Sequence, residues 1–168
     1  MLAKTGSQLS HSTLLPSKRR TKPVLKADYI VGLTDGEGCF YVNVRDSASY
    51  HAGASVELQF HIKLNARDRE LLEVVKESLG CGGVYFQKET RANHAQCFRY
   101  TVNSHQTIIE KIIPFFKKYP LQSSSKLKSF QYFCEIAEMV EQKLHHSPEG
   151  IEKIRELKSM MNKRTGLA

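Results

Sequence analysis

Tryptophan is absent from the 168 residues, and the four cysteines (Cys39, Cys81, Cys97 and Cys134) lie far apart with no C-x-x-C pair. Neither a zinc site nor a redox motif is indicated, and four scattered thiols do not make a disulfide framework. No run approaches the roughly 18 apolar residues that a membrane-crossing helix requires, which excludes a transmembrane protein. The seven histidines form no H-E-x-x-H and no clustered ligand set. G-x-x-x-x-G-K-S/T, G-x-G-x-x-G and G-x-S-x-G are all missing, so nucleotide-driven and serine-hydrolase chemistry have no support. Acid is also in short supply. None falls in residues 1–26, and over the whole chain 25 Lys and Arg stand against 17 Asp and Glu, a net charge of +8. A basic domain of this size points to a polyanionic partner.

What is present suffices for one domain with a core, since 40% of the chain is hydrophobic. Residues 1–26 carry Lys4, Lys18, Arg19, Arg20, Lys22 and Lys26, many Ser and Thr, and no apolar period. They read as a flexible basic arm, and the same composition suits an organelle transit peptide or a cloning remnant. The domain is expected over 27–164, with 165–168 as a tail.

From Ala27 the pattern changes. Ala27–Thr34 reads as a short helix running into Asp35-Gly36-Glu37-Gly38. Phe40–Arg45 then alternates like a half-buried strand, and a small-residue loop over 47–54 leads to Val56–Leu64. In that run every even position is apolar and every odd one polar, which gives a sheet with one dry and one wet face. Asn65 fits as an N-cap for a helix over 67–79, which Gly80, Gly82 and Gly83 break. Strands are expected over 84–88 and 97–103, then a helix over 105–118 in which Pro114 acts as a kink or stop. Helices over 126–144 and from Ser147-Pro148-Glu149 onward complete the chain. The order α–β–β–α–β–β–α, with two extra C-terminal helices, predicts an α+β fold: four antiparallel strands backed by helices on one face.

The chemistry gathers in Ile30-Val31-Gly32-Leu33-Thr34-Asp35-Gly36-Glu37-Gly38. Gly32 and Gly36 lie four apart on one helix face, where glycine costs about 1 kcal/mol against alanine. A helix carries that cost sensibly where another backbone must approach closely. Asp35 and Glu37 fall where the helix ends, facing the negative end of its dipole. A bound cation repairs this, and oxygen ligands suit Mg²⁺ or Ca²⁺. Helix-capping turn chemistry is the plainer reading of the same residues.

This segment resembles the LAGLIDADG motif of homing endonucleases. The strands that follow at once, the αββαββα order, the stretch Ile113–Leu121 through Lys126, and the tail Ser147–Ile151 through Met161-Asn162 are similar to that family too. The resemblance covers about residues 27–162. It implies a metal-dependent DNA endonuclease with a four-stranded DNA-binding sheet and a long, rare target. With one motif per chain, it implies the homodimeric branch and a near-palindromic target. A single Glu37 is too little for a two-metal phosphodiester site, and a two-fold dimer would unite two copies.

By the resemblance, Glu37 is the Mg²⁺ ligand, with the Gly36 carbonyl as a second; Ca²⁺ or Mn²⁺ suits the same donors. Lys126 matches the basic residue that supports charge at the active site. Ile30, Gly32, Leu33, Asp35 and Gly36 would form the dimer interface. Many relatives carry a polar residue, often Gln, near the end of the second strand to hold the attacking water. Leu64 stands there instead, and adjacent Asn65 is the substitute. That departure leaves a second class open: a non-cleaving relative that binds DNA or intron RNA. The wet-face residues Tyr41, Asn43, Arg45, Gln59, His61, Lys63, Tyr85, Gln87 and Arg99, with Tyr50 in the first loop, are the expected DNA contacts, since a β-ribbon fits the major groove. The family also implies an organellar, intron-encoded origin.

Overall fold

The computed structural model describes residues 24–91 and 94–162. The basic arm, apart from residues 24–26, and the tail over 165–168 lie outside the described residues. The elements run α1 (Ala27–Glu37), β1 (Gly38–Asp46), β2 (Ala54–Asn65), α2 (Arg69–Leu79), β3 (Gly83–Gln87), β4 (Cys97–Val102), α3 (His105–Thr107), α4 (Ile113–Lys118), α5 (Ser124–Glu141) and α6 (Pro148–Asn162). The strands form one antiparallel sheet in the order β1-β2-β4-β3, the α+β architecture expected.

The period-2 pattern of β2 sets the layers. Ala54, Val56, Leu58, Phe60 and Ile62 are buried, and Leu64 packs against the same core from a partly exposed position. Phe40 of β1 packs among four rings, those of Phe60, Phe116, Phe130 and Phe133, at centroid distances of 4.9–5.4 Å. This cluster locks β1 to α4 and α5, and each such ring contributes on the order of 1.5–3 kcal/mol by leaving water. The helices therefore cover one face, and the polar odd positions keep the other.

Three local features differ from the sequence reading. The first helix does not stop at Thr34 but continues through the motif to Glu37. The helix after Asn65 begins with a 3₁₀ turn over Ala66–Asp68, where Asn65 Oδ1 accepts from Arg67 N at 3.1 Å. Pro114 does not stop its helix, which continues to Lys118. A π turn over Ile108–Ile112 separates α3 from α4, and Ile113 N–H reaches back five residues to Ile108 O. Pro114, at the start of α4, has no N–H to give, so the wider turn absorbs the missing bond and the chain goes on.

Candidate active site and nucleic-acid interface

Helix α1 is two-sided because residues 100° apart alternate between core and surface. Ile30, Val31 and Thr34 are buried. Asp28, Tyr29, Gly32, Gly36 and Glu37 are exposed, and Leu33 is half-buried. Tyr29, Gly32, Leu33 and Gly36, spaced i, i+3, i+4, i+7, make one open stripe. A Cβ placed on Gly32 or Gly36 would meet nothing within 4 Å. Ile30, expected at a subunit interface, is a correction: only 1% exposed, it is spent on the chain's own core. Tyr29, which the motif alone does not single out, takes its place on the stripe; counting one turn back from Gly32 and Leu33 finds it.

Glu37 closes α1, is exposed, and has no hydrogen bond or ion pair among the described residues. No basic residue sits in the last turn to offset its charge at the helix's negative end. Asp35 behaves differently. Its Oδ2 accepts from Gln122 N at 2.9 Å, in the segment leading to α5, while its Oδ1 is buried without a partner. Lys126, in the first turn of α5, donates from Nζ to Gly38 O at 2.5 Å. The one residue between Glu37 and β1's first wet-face position is thus the anchor for Lys126. Lys117 and Lys118 instead line a groove between α4 and α5, and Lys128 is exposed.

Beyond Glu37 the wet face opens. The strand register arranges its side chains in cross-sheet rows. Cys39, His61, Thr101 and Gly83 form one row. Lys63, Arg99 and Tyr85 form the next, and Asn65, Cys97 and Gln87 another. On the other side of the first row, Tyr41 faces Gln59, Asn43 faces Glu57, and Arg45 faces Ser55. All nine strand residues expected to meet DNA therefore share one face. Cys39, Thr101 and Glu57 belong to it too, and the same alternation places them there. Glu57 pairs with Arg45 at 3.4 Å and accepts from Asn43 Nδ2 at 3.2 Å. Tyr50 stands apart in the β1–β2 loop, beside a cavity edged by His51, His105, His145 and His146. Asn65 is on the wet face, but its Oδ1 is taken by the backbone and side chain of Arg67.

Charge converges on the first row. Burial, then the neighbouring Arg99 and Lys126, push the His61 imidazole down to about 4, so it is neutral at pH 7. Its Nδ1 is buried without a partner. Burial raises the Cys39 thiol, although Lys126 and Arg99 pull it back.

The donors at the end of α1 fit a hard divalent cation only in part. An unpaired carboxylate and the adjacent carbonyl of Gly36 are suitable oxygens. Among the described residues, however, no three His, Cys, Asp or Glu side chains gather tightly enough to hold a metal ion.

A family model described as LAGLIDADG endonuclease matches residues 30–137. The chain belongs to the LAGLIDADG endonuclease family. It is 30% identical over 138 residues to a probable intron-encoded endonuclease 2 of Neurospora crassa, covering 82% of this chain and 29% of that protein. The chain thus spans less than a third of the length of that relative. Among solved structures, the homing endonuclease I-TnaI matches with a TM-score of 0.73 and 34% identity, over 84% of this chain and 90% of its own. I-SmaMI, bound to an uncleaved DNA target in the presence of calcium ions, matches with a TM-score of 0.76 and 33% identity, over 88% of this chain and 48% of its own.

Proposed function

We propose that this LAGLIDADG protein is a site-specific DNA endonuclease that makes a double-strand break in a near-palindromic target as a two-fold dimer. One observation carries this reading: the open stripe Tyr29, Gly32, Leu33 and Gly36 leads straight to the unpartnered carboxylate of Glu37, at the head of a polar sheet face. Packing the stripe on its symmetry mate brings two copies of Glu37 together. The coverage supports this, since the chain matches nearly all of I-TnaI and just under half of I-SmaMI.

Glu37, with the Gly36 carbonyl, would hold Mg²⁺, for which Ca²⁺ or Mn²⁺ could substitute. The bound metal would polarise the scissile phosphate and ease ionisation of a water. The chain's own groups do the rest. The sheet face docks the duplex, with Arg45, Lys63 and Arg99 supplying charge and Asn43, Gln59 and Tyr85 supplying base-edge hydrogen bonds. Lys126, fixed on Gly38 O one residue after Glu37, would supply an ammonium to stabilise negative charge at the phosphate. His61, neutral between two cations, donates or accepts a hydrogen bond without adding repulsion. From first to last Cα the nine residues of β1 span about 26 Å, at roughly 3.3 Å per step, or about 8 base pairs at 3.4 Å per step. Two copies would therefore cover about 16 base pairs or more. The relatives' names support an intron-encoded origin, and we infer that the intron belongs to a chloroplast or mitochondrial genome.

One observation favours a second reading, a non-cleaving relative that binds DNA or intron RNA. Leu64 stands where a polar, water-holding residue is expected, and Asn65 beside it is occupied by Arg67. A randomised DNA library incubated in Mg²⁺ and, in parallel, Ca²⁺ decides between them. Recovery of a near-palindromic sequence cut in Mg²⁺ supports the endonuclease. The same sequence bound but never cut in Mg²⁺ supports the binder.

A further inference from the structure

Two hydrogen bonds, spanning 87 and 88 residues of chain, join the same two short segments. At one end Asp35 Oδ2 accepts from Gln122 N at 2.9 Å, and at the other Lys126 Nζ donates to Gly38 O at 2.5 Å. Between them the residues 35–38 and 122–126 form a closed ring with Glu37 on its rim. We propose that Asp35 is a positioning residue for Lys126: by holding the backbone of Gln122, it fixes where the first turn of α5 begins and so where the ammonium, seated on Gly38 O, faces the phosphate.

The placement of Asp35 supports this over a role as a metal ligand or a dimer contact. Oδ2 is already used within the chain, and Oδ1 is buried and not presented to the open stripe. Among the described residues the carboxylate makes no ion pair, and its hydrogen bond to Gln122 N accounts for its position. A buried acceptor left unsatisfied calls for such a reason. On the far side of the tether, Leu121 is buried in the core, so the segment has an apolar anchor as well. Asp35 therefore adjusts the approach of α5 and does not by itself hold the fold together. The N-cap of α5, Ser123, makes no side-chain capping bond, so among the described residues the Asp35 tether and the Lys126–Gly38 bond are the long-range polar restraints on the start of that helix.

The inference rests on the endonuclease reading for its activity arm, and a second readout is independent of it. The first arm measures single-turnover cleavage of the recovered target by Asp35→Ala, Asp35→Asn, Lys126→Ala and the double variant Asp35→Ala/Lys126→Ala. Asp35→Ala is expected to slow cleavage on the order of 100-fold, as a displacement near 1 Å at a reacting group does. Asp35→Asn keeps an acceptor for Gln122 N and restores most of the rate. The double variant cuts no more slowly than Lys126→Ala alone, because Asp35 acts only through the lysine. Losses that multiply would overturn the proposal, as would a rate in Asp35→Asn as low as in Asp35→Ala. The second arm follows amide hydrogen exchange over residues 122–127. Exchange at Gln122 is expected to quicken about tenfold or more in Asp35→Ala and to stay near wild type in Asp35→Asn. If the wild type never cuts, the endonuclease reading fails. The tether is then judged by exchange alone: quickened exchange in Asp35→Ala upholds it, and unchanged exchange overturns it.

Discussion

Glycine at position 32 has opposite consequences for the isolated chain and for the proposed dimer, and Gly32→Ala separates them. Gly32 lies inside α1, on its exposed side, and a Cβ there meets nothing within 4 Å. In a lone chain the substitution only removes the helix penalty of glycine, so unfolding should cost up to about 1 kcal/mol more. In a dimer built on the stripe the same methyl enters a close helix–helix contact. Overpacking costs about 1–3 kcal/mol per site, and two-fold symmetry applies it twice. A total of about 2–6 kcal/mol corresponds to a dissociation constant raised roughly 30-fold or more. Sedimentation equilibrium with and without target DNA reads the association, and urea denaturation at concentrations where the chain is monomeric reads the stability. The expected pattern is a sturdier monomer and a weaker dimer, with cleavage falling as dimer is lost. A Gly32→Ala variant that dimerises as tightly as wild type would exclude a dimer packed on this stripe.

Other outcomes follow from particular residues. Gly82 has φ +78°, and a Cβ on it would lie 2.7 Å from Thr101 O and Tyr100 Cε2 and 2.8 Å from Val102 Cγ2. Gly82→Ala therefore combines left-handed strain with overpacking, and chemical denaturation should show a loss of about 2–5 kcal/mol. His61 titrates near 4 when folded against an ordinary 6.5. The unfolded chain thus binds its proton more readily, so this contribution is whole above about pH 6.5 and is lost as pH falls towards 4. Denaturation between pH 4.5 and 7 should show a shallower slope in His61→Gln, which retains the same-signed contribution of half-buried His145; an unchanged slope would count against it. Arg99→Ala should cost about 1–3 kcal/mol in affinity for the preferred target and relax preference at one base step, as binding to a single-base variant library would show. Footprinting should protect about 16 base pairs or more, symmetric about the cut.

Strand alternation makes much of this site legible from sequence. Once Val56–Leu64 is read with period 2, the face of Gln59, His61 and Lys63 follows, and pairing carries the same parity to Tyr41 and Arg99. The motif likewise marks Gly32, Gly36 and Glu37. What local pattern does not reveal is contact made across long stretches of chain. Asp35 with Gln122 N, and Lys126 with Gly38 O, depend on how α5 docks against the α1–β1 junction. Ile30 is misplaced by the motif because nine residues read as a unit do not say which helical face the core claims. Only the buried set Ile30, Val31 and Thr34 fixes that rotation. Pro114 is legible as an irregularity, but the π turn before it, with Ile108 and Ile112 both buried, is not.

Under the proposed function Glu37 is an acid of the cleavage centre and not of the fold or of DNA binding. The direct measurement compares wild type and Glu37→Gln on the selected target, reading cleavage in Mg²⁺ and binding in Ca²⁺. Because Glu37 is exposed and has no intrachain partner among the described residues, the variant should fold and bind like wild type yet leave the DNA uncut. Cleavage by Glu37→Gln at the wild-type rate would contradict the account.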